Sequence, residues 1–223
     1  MFVMLAWAAA ASAARADSLD AIFARMDEAS RKFKSVSAAI HESDYTAVLG
    51  DTTHEDGKLV AKRTSHGIRA RLDFYGPDER TVVLHGDIAQ MYWPKAKQVE
   101  EYDISKYASS KVVDQLLLLS FGAASGDEIQ KDYDVSLGGS EKIDGKTCTR
   151  VELVPKSPEG RKQITRITLW IPEGEARAVQ EKLDQPSKNY LLWTYSEVKM
   201  NAPMPDSEVE LKLPSGVKRI GSN

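Results

Sequence analysis

Between residues 68 and 94 the chain reads IRARLDFYGPDERTVVLHGDIAQMYWP, three short runs of alternating apolar and polar positions separated by turn residues. In the first run Ile68, Ala70, Leu72 and Phe74 share one parity, and Arg69, Arg71, Asp73 and Tyr75 share the other. Successive side chains of a strand point to opposite sides, so the pattern predicts a sheet that is apolar on one face and wetted on the other. Gly76-Pro77-Asp78-Glu79 and His85-Gly86-Asp87 are turn signals that fold the runs into an antiparallel meander. The apolar face of such a meander must be covered by something, and the cover decides what the protein does.

The same reading extends over the rest of the chain. Leu19, Ile22, Phe23, Met26 and Phe33 recur at helical spacing and predict a helix over 18–33, with Asp17 or Ser18 as its cap. Strands are expected at 36–48, at 58–64 after a turn at Asp56-Gly57, and at 98–102 beyond Pro94-Lys95-Ala96-Lys97. Residues 105–121 change the pattern. Val112, Val113 and the run from Leu116 to Leu119 are apolar around most of a helix, as in a helix sandwiched between other elements, and Gly122 ends it. Ser125-Gly126-Asp127-Glu128 is a capping-box signature for a short helix through about Gln130. Strands then resume at 135–137, 147–154, 164–171, 176–183, 189–200 and 209–213. Turn signals at Asp144-Gly145, Pro158-Glu159-Gly160, Pro172-Glu173-Gly174 and Pro186-Ser187 separate them. The expected fold is mainly β (α+β): a strongly curved antiparallel sheet or incomplete barrel of about 11–12 strands, its hollow filled by helices.

The N-terminus stands apart. Residues 2–11 are an apolar run, followed by Ser12-Ala13-Ala14-Arg15-Ala16. Ala14 and Ala16 supply the small residues of a cleavage site, so 1–16 is expected to be a signal peptide and 17–223 a single domain. The run is shorter than the roughly 20 apolar residues that span a bilayer. No Lys or Arg precedes it, as a translation start placed too far downstream would leave it; a buried N-terminal helix is the alternative reading. No Cys follows the run to be acylated, so the mature protein is expected to diffuse freely. The full chain carries a formal net charge of −3, and losing Arg15 makes the remainder more acidic, which argues against nucleic acid as a partner. The single cysteine, Cys148, cannot form an intramolecular disulfide; flanked by Thr147 and Thr149 in a strand, it is expected to be a buried, inert thiol.

A search for reaction chemistry yields little. Gly139 to Thr147 has a glycine, lysine and threonine in the order of a phosphate-binding loop. It places five residues between its glycines and leads into a strand, so it reads as a hairpin. Gly122-Ala123-Ala124-Ser125-Gly126 lacks the glycine spacing of a hydrolase elbow. His41, His54, His66 and His85 fall on strand faces or turns, none paired at helical metal-ligand spacing. His54 and Glu55 near Asp51 form either a polar turn or a loose metal cluster. Glu42 and Asp44 share one strand face about 7 Å apart, and are either a solvated face or an acid–base pair. No enzyme, metal or cofactor is expected. What remains is a greasy interior, with Phe74, Met91, Trp93, Leu116, Leu117, Leu119, Leu169, Trp170, Trp193 and Tyr195 as candidates. They are either ordinary core or the wall of an apolar cavity suited to a hydrophobic ligand. Burying an acyl chain is worth about 0.8 kcal/mol per CH₂, and leaving a membrane forfeits a similar amount. A carrier can therefore exchange chains with little net driving force.

Pro77-Asp78-Glu79, then Gly86, then Tyr92-Trp93-Pro94 resemble the successive turns of the LolA-like family of periplasmic outer-membrane lipoprotein carriers. Leu153-Val154-Pro155-Lys156 looks like the family's Leu-x-Pro-Lys. Leu211-Lys212-Leu213-Pro214-Ser215-Gly216-Val217 looks like its closing strand, and the first helix followed by Val36-Ser37-Ala38 also fits. The order of these motifs spans nearly all of 17–223. The resemblance implies an incomplete β-barrel lidded by helices and a soluble, monomeric periplasmic carrier. Such a carrier takes lipoproteins from an inner-membrane ABC transporter, shields their acyl chains and passes them to an outer-membrane receptor. It further implies that Ala70, Leu72 and Phe74 line the concave side and, with Met91, Trp93, Val112, Leu116 and Leu117, contact acyl chains. Lys62-Arg63-Thr64 matches the first two residues of the family's Lys-Arg-Pro, which makes Arg63 the candidate lid latch; here Thr64 replaces the proline. Two rivals use the same half-barrel: a free-lipid or glycolipid shuttle, and an envelope-stress sensor. Sensors of that type usually carry an additional C-terminal domain, and this chain ends at Asn223 soon after its expected closing strand.

Overall fold

The computed structural model describes residues 17–104 and 119–221, so the expected signal peptide and most of the helix expected over 105–121 lie outside the described residues. Ser18 accepts a hydrogen bond from the Ala21 amide at 3.2 Å and starts α1 (Leu19–Lys32), whose apolar stripe is Ile22, Phe23 and Met26. Six strands follow: β1 (Ser35–Thr46), β2 (Asp51–Thr64), β3 (Gly67–Phe74), β4 (Arg80–His85), β5 (Ile88–Trp93) and β6 (Gln98–Asp103). After α2 (Gly126–Asp132) come β7 (Tyr133–Ile143), β8 (Lys146–Pro155), α3 (Pro158–Gln163), β9 (Arg166–Pro172), β10 (Gln180–Asp184), β11 (Tyr190–Met200) and β12 (Lys218–Gly221). At α2 the capping box forms as expected, with Ser125 and Glu128 each satisfying the other's backbone amide.

The strands make one sheet in the order β12-β6-β5-β4-β3-β2-β1-β11-β10-β9-β8-β7. β7 and β12 end that order without pairing to each other, so the barrel is incomplete, as expected from the sequence. Helix α1, with α2 and the start of β7, packs over β8, β9 and β10. There Ile22, Phe23, Met26, Ile129 and Tyr133 meet Val151, Leu153, Ile167, Leu169 and Leu183 in a dry cluster. Each aliphatic side chain in it, fully buried, contributes about 1.5–3 kcal/mol. A second cluster joins Phe33 to β1, β2, β3 and β4 and to Phe121 and Ala123 of the segment 119–124. Cys148 is buried, and burial pushes its thiol pKa up, in keeping with an inert side chain.

Several expectations are corrected. Asp56-Gly57 is not a turn: β2 starts at Asp51, and Gly57 lies within it, opposite Ile40 and Phe74. A Cβ at Gly57 would stand 2.5 Å from the Asp73 carbonyl oxygen, so the glycine marks a close backbone approach. The turn lies instead at 47–50. Pro158-Glu159-Gly160 opens a short helix, because Ser157 caps it and proline fits its first turn. The strand expected at 209–213 is a strap crossing the outer face of the sheet. Side chains rather than a ladder hold it and the stretch before it, with Arg71 Nη1 bonding the Glu210 carbonyl at 3.2 Å and Lys62 Nζ the preceding Met204 carbonyl at 2.6 Å. Val209 on the strap is buried, as are Val60 and Val83 on the outer face of β2 and β4, so that face is only partly wetted. The last strand is β12, and it pairs parallel to β6 in an otherwise antiparallel sheet.

Candidate functional site

Cross-strand partners in an antiparallel ladder share a face, so the register traces the inner surface directly. Ala70 lies between Ala61 and Leu84, and Leu72 between Leu59 and Val82. Phe74 lies between Gly57 and Arg80, and beyond Gly57 come Ile40 and Tyr195. Ala70, Leu72 and Phe74 are at most 4 % exposed, in the cluster that also holds Phe33, Phe121 and Tyr195. The Phe121 and Tyr195 rings are tilted against each other with centroids 4.9 Å apart. In β5, Met91 pairs with Val82 and Trp93 lies two residues further on the same face; both are only half-buried. Trp193 of β11 is also half-buried against this cluster. The structure thus brings Ala70, Leu72, Phe74, Met91 and Trp93 onto one surface, while Val112, Leu116 and Leu117 lie outside the described residues. Leu119 and Leu169 belong to the dry cluster under α1. Trp170 is on the outer face, its indole N–H donating to Glu141 at 2.9 Å, which corrects the interior placement expected for it.

Arg63 sits where α1 ends. Its Nε donates to the Phe33 carbonyl at 3.4 Å, its guanidinium is 5.7 Å from the Phe33 ring centroid, and its amide bonds the Lys34 carbonyl at 2.8 Å. Within the described residues it fastens the C-terminal end of α1 to β2.

The inner face is not uniformly apolar. One cross-strand row reads Glu55, Glu42, Trp193, Glu181, Leu169 and Val151. Glu42 is only 8 % exposed, which corrects the solvated strand face expected for it. Its Oε2 accepts the Trp193 indole N–H; burial raises its pKa, and the Trp193 bond and the nearby Arg80 charge oppose the rise. Glu55 holds Arg80 through two bonds of 2.6 Å, the geometry that matches guanidinium to carboxylate. Hydrogen bonding to Glu55 raises the Arg80 pKa against the cost of burial. The Arg80 guanidinium lies 4.0 Å over the Phe74 ring centroid and 5.9 Å from that of Trp93. His54, by contrast, points outward, bonding Ser43 at 3.0 Å and stacking on His41. The grouping of His54 with Glu55 is therefore undone by strand alternation.

Glu181 is fully buried. Its Oε2 accepts hydrogen bonds from Ser120 Oγ and from Tyr195 Oη, the latter at 2.9 Å, while Oε1 has no partner among the described residues. Burial raises its pKa to about 7, against the two donors that favour the carboxylate. Burial, and then the adjacent Glu181 charge, hold the Tyr195 phenol well above its ordinary range. Ser120 also accepts the Ala178 amide at 2.7 Å through its carbonyl, so the segment carrying Phe121 is tied to this corner by backbone and side chain. Sequence reading missed the interior roles of Glu55, Arg80, Ser120 and Glu181. The available signal was parity: Glu181 shares the side of Leu183, and Gln180 and Lys182 the other.

Trp93 also lines a groove of about 320 Å³ at the turn end of the sheet, with Asp78, Glu79, Lys95, Gln98 and Glu100. The half-buried apolar rim, the aromatic faces and the carboxylates together suit an amphiphile: an apolar part against the rim and a polar part at this end.

No protein-family model and no curated protein matches the chain. Solved structures do. An uncharacterized conserved protein from Thermus thermophilus aligns over 92 % of this chain and 100 % of its own, with a TM-score of 0.57 at 9 % identity. MucB aligns over 86 % of this chain and 62 % of its own, with a TM-score of 0.50 at 13 % identity. A LolA superfamily protein from Nitrosomonas europaea is among the matches, over 88 % of this chain and 99 % of its own, with a TM-score of 0.43 at 13 % identity. At these identities the likeness is one of fold.

Proposed function

We propose that this chain is a periplasmic carrier that shields the acyl chains of lipoproteins and moves them from the inner to the outer membrane. The observation that carries the reading is the inner face of an unclosed sheet. Its apolar floor over β1–β4 runs out into a half-buried rim of Met91, Trp93 and Trp193 instead of a sealed core. A surface of this kind takes up hydrocarbon with a gain of about 0.8 kcal/mol per CH₂ and releases it to a similar environment at little net cost. Ala70, Leu72 and Phe74 would form the floor, Met91 and Trp93 the rim. Val112, Leu116 and Leu117 would complete the lining, with Arg63 the latch. An inner-membrane ABC transporter and an outer-membrane receptor are the partners in this scheme, and the carrier acts as a monomer after removal of 1–16. The test is release: the purified mature protein, added to spheroplasts with the native transporter, is expected to remove lipoproteins into the medium. Depletion in cells is expected to retain them in the inner membrane. Absence of release with an active transporter would overturn the reading.

A further inference from the structure

The end of the sheet that carries the rim groove also carries a hairpin tip that acyl-chain binding leaves unused. Strands β1 and β2 stay paired out to Thr46 and Asp51, whereas the pairing of β2 with β3 stops at Gly57 and Phe74. The Tyr75 amide and the Arg80 side chain brace β2 at Asp56 and Glu55, and residues 51–54 run on past them as about 14 Å of extended chain. On the other side β11 supports β1 only as far as Tyr45, whose ring stacks on that of Tyr190 with centroids 4.9 Å apart. The loop itself is firmly built. The Leu49 and Gly50 amides both bond the Thr46 carbonyl, at 3.1 and 2.9 Å, and Gly50 closes the turn at φ +63°. The Ala47 amide bonds the Asn189 side-chain oxygen at 2.9 Å. At the apex Val48 and Leu49 are 89 % and 75 % exposed, the two most exposed large apolar side chains among the described residues. The braced turn holds this pair out in solvent, away from both core clusters.

We propose that this tip is a reversible membrane contact: Val48 and Leu49 enter the acyl region of a lipid bilayer while Tyr45 and Tyr190 stay at headgroup depth. The inference goes beyond the carrier reading and does not depend on it. The apex is convex and two side chains wide. A protein partner would need a pocket shaped to it, whereas lipid closes around any apolar protrusion. Behind the apex the residue types are those of an interfacial segment. The tyrosine pair combines apolar rings with polar tips, the arrangement favoured where hydrocarbon meets water. Lys182 Nζ lies 4.2 Å from the Tyr190 ring centroid, and Lys188 is exposed in the adjoining turn. Acids are interspersed with these bases: Asp184 is paired with Lys182 at 2.8 Å and Arg166 at 3.2 Å, Asp51 accepts the Thr52 amide at 2.8 Å, and Asp44 is exposed on β1. The attraction therefore rests on the apolar pair rather than on charge. Two apolar side chains hold a bilayer weakly, which suits a protein that must come off again.

The test uses the purified mature protein and protein-free vesicles of phosphatidylethanolamine and phosphatidylglycerol. A polarity-sensitive fluorophore is placed on Leu49→Cys, the native Cys148 being buried, and on Asp87→Cys in the turn at the opposite end of the sheet as control. Vesicles are expected to shift the emission at 49 to the blue and shield it from an aqueous quencher, with no change at 87. In co-flotation, the double change Val48→Ser and Leu49→Ser is expected to lower partition into the vesicles by at least about ten-fold. High salt is expected to lower partition of the unaltered protein by less than about two-fold, because screening acts on charge and not on apolar transfer. Both serines lie outside the core, so the melting temperature of the double variant is expected to be unchanged, which separates lost contact from lost fold. No partition of the unaltered protein, or no loss in the double variant, overturns the inference. Shielding at 49 that appears with native membranes but not with pure lipid identifies a protein partner and overturns it as well. The vesicles hold no lipoprotein, so failure here leaves the release assay, and with it the carrier reading, standing.

Discussion

The hollow of this sheet has two halves built by the same rule and finished differently. Under α1, the inner residues of β8, β9 and β10 meet a helix stripe and close into a dry cluster in which Ile22, Leu153, Ile167 and Leu169 are at most 1 % exposed. Over β1–β5 the strands alternate just as regularly. There the floor passes into the half-buried rim of Met91, Trp93 and Trp193 and into carboxylates no core would keep without a reason. Alternation therefore specifies which side chains face inward but not whether they end up sealed or half-buried. The difference lies in the cover. An amphipathic helix matched to the sheet seals one half, and the other is covered within the described residues by Phe33 and by the segment 119–124, hung from Glu181 through Ser120.

The comparison can be broken at both halves. The largest effect is expected in the sealed one: Leu169→Ala should cost about 2–5 kcal/mol in urea unfolding, because a fully buried leucine leaves a cavity that the cluster cannot fill. A loss well under about 1 kcal/mol would show that this half is not close-packed. Next comes the corner between the halves. Glu181 binds its proton more tightly folded than unfolded, its pKa rising from 4.5 to about 7. Its contribution is therefore complete below pH 4.5 and is lost as pH rises towards 7, on the order of 3 kcal/mol in all. Glu181→Gln should flatten that part of the stability curve, measured as the difference from the unaltered protein between about pH 4 and 8. An identical slope in both would mean that Glu181 is solvated in solution.

Two smaller changes sharpen the open half. Gly57→Ala drives a methyl group against the Asp73 carbonyl and should cost about 1–3 kcal/mol, showing that the floor is tightly built even though its rim is open. Met91→Ala, on the rim, should cost less than about 1 kcal/mol in stability while weakening the binding of dodecanol. Equal stability losses at Met91 and Leu169 would erase the distinction between the halves.

Much of the fold could be read from local pattern. The hairpins of β3, β4 and β5 fall where the alternation and the Gly-Pro-Asp-Glu and Gly-Asp signals put them, and Ser18 and Ser125 cap helices as their types demand. The misreadings share a cause in long-range packing. Gly57 has turn chemistry but lies in mid-strand because β1 and β3 press in from both sides. Residues 209–213 alternate like a strand but lie across the sheet, held by Arg71 at the Glu210 carbonyl and, just before them, by Lys62 at the Met204 carbonyl. The candidate site divides in the same way. Ala70, Leu72 and Phe74 were legible from parity, and Met91 and Trp93 as greasy-interior candidates, whereas Arg80, Glu55 and Glu181 were not, since a charged residue on an inward parity gives no local sign of its partner.

The sequence by itself determined the parity of every strand in the meander, the caps of the helices, and the single-sided greasiness that demanded a cover. Only the tertiary structure decided which inner face was sealed under α1 and which ran out into a half-buried rim with a carboxylate row. The physical reason is that parity is set within one strand by backbone geometry. Burial and pairing are set by neighbours far apart in the chain: Glu55 beside Arg80, Trp193 beside Glu42, and Ser120 against Glu181.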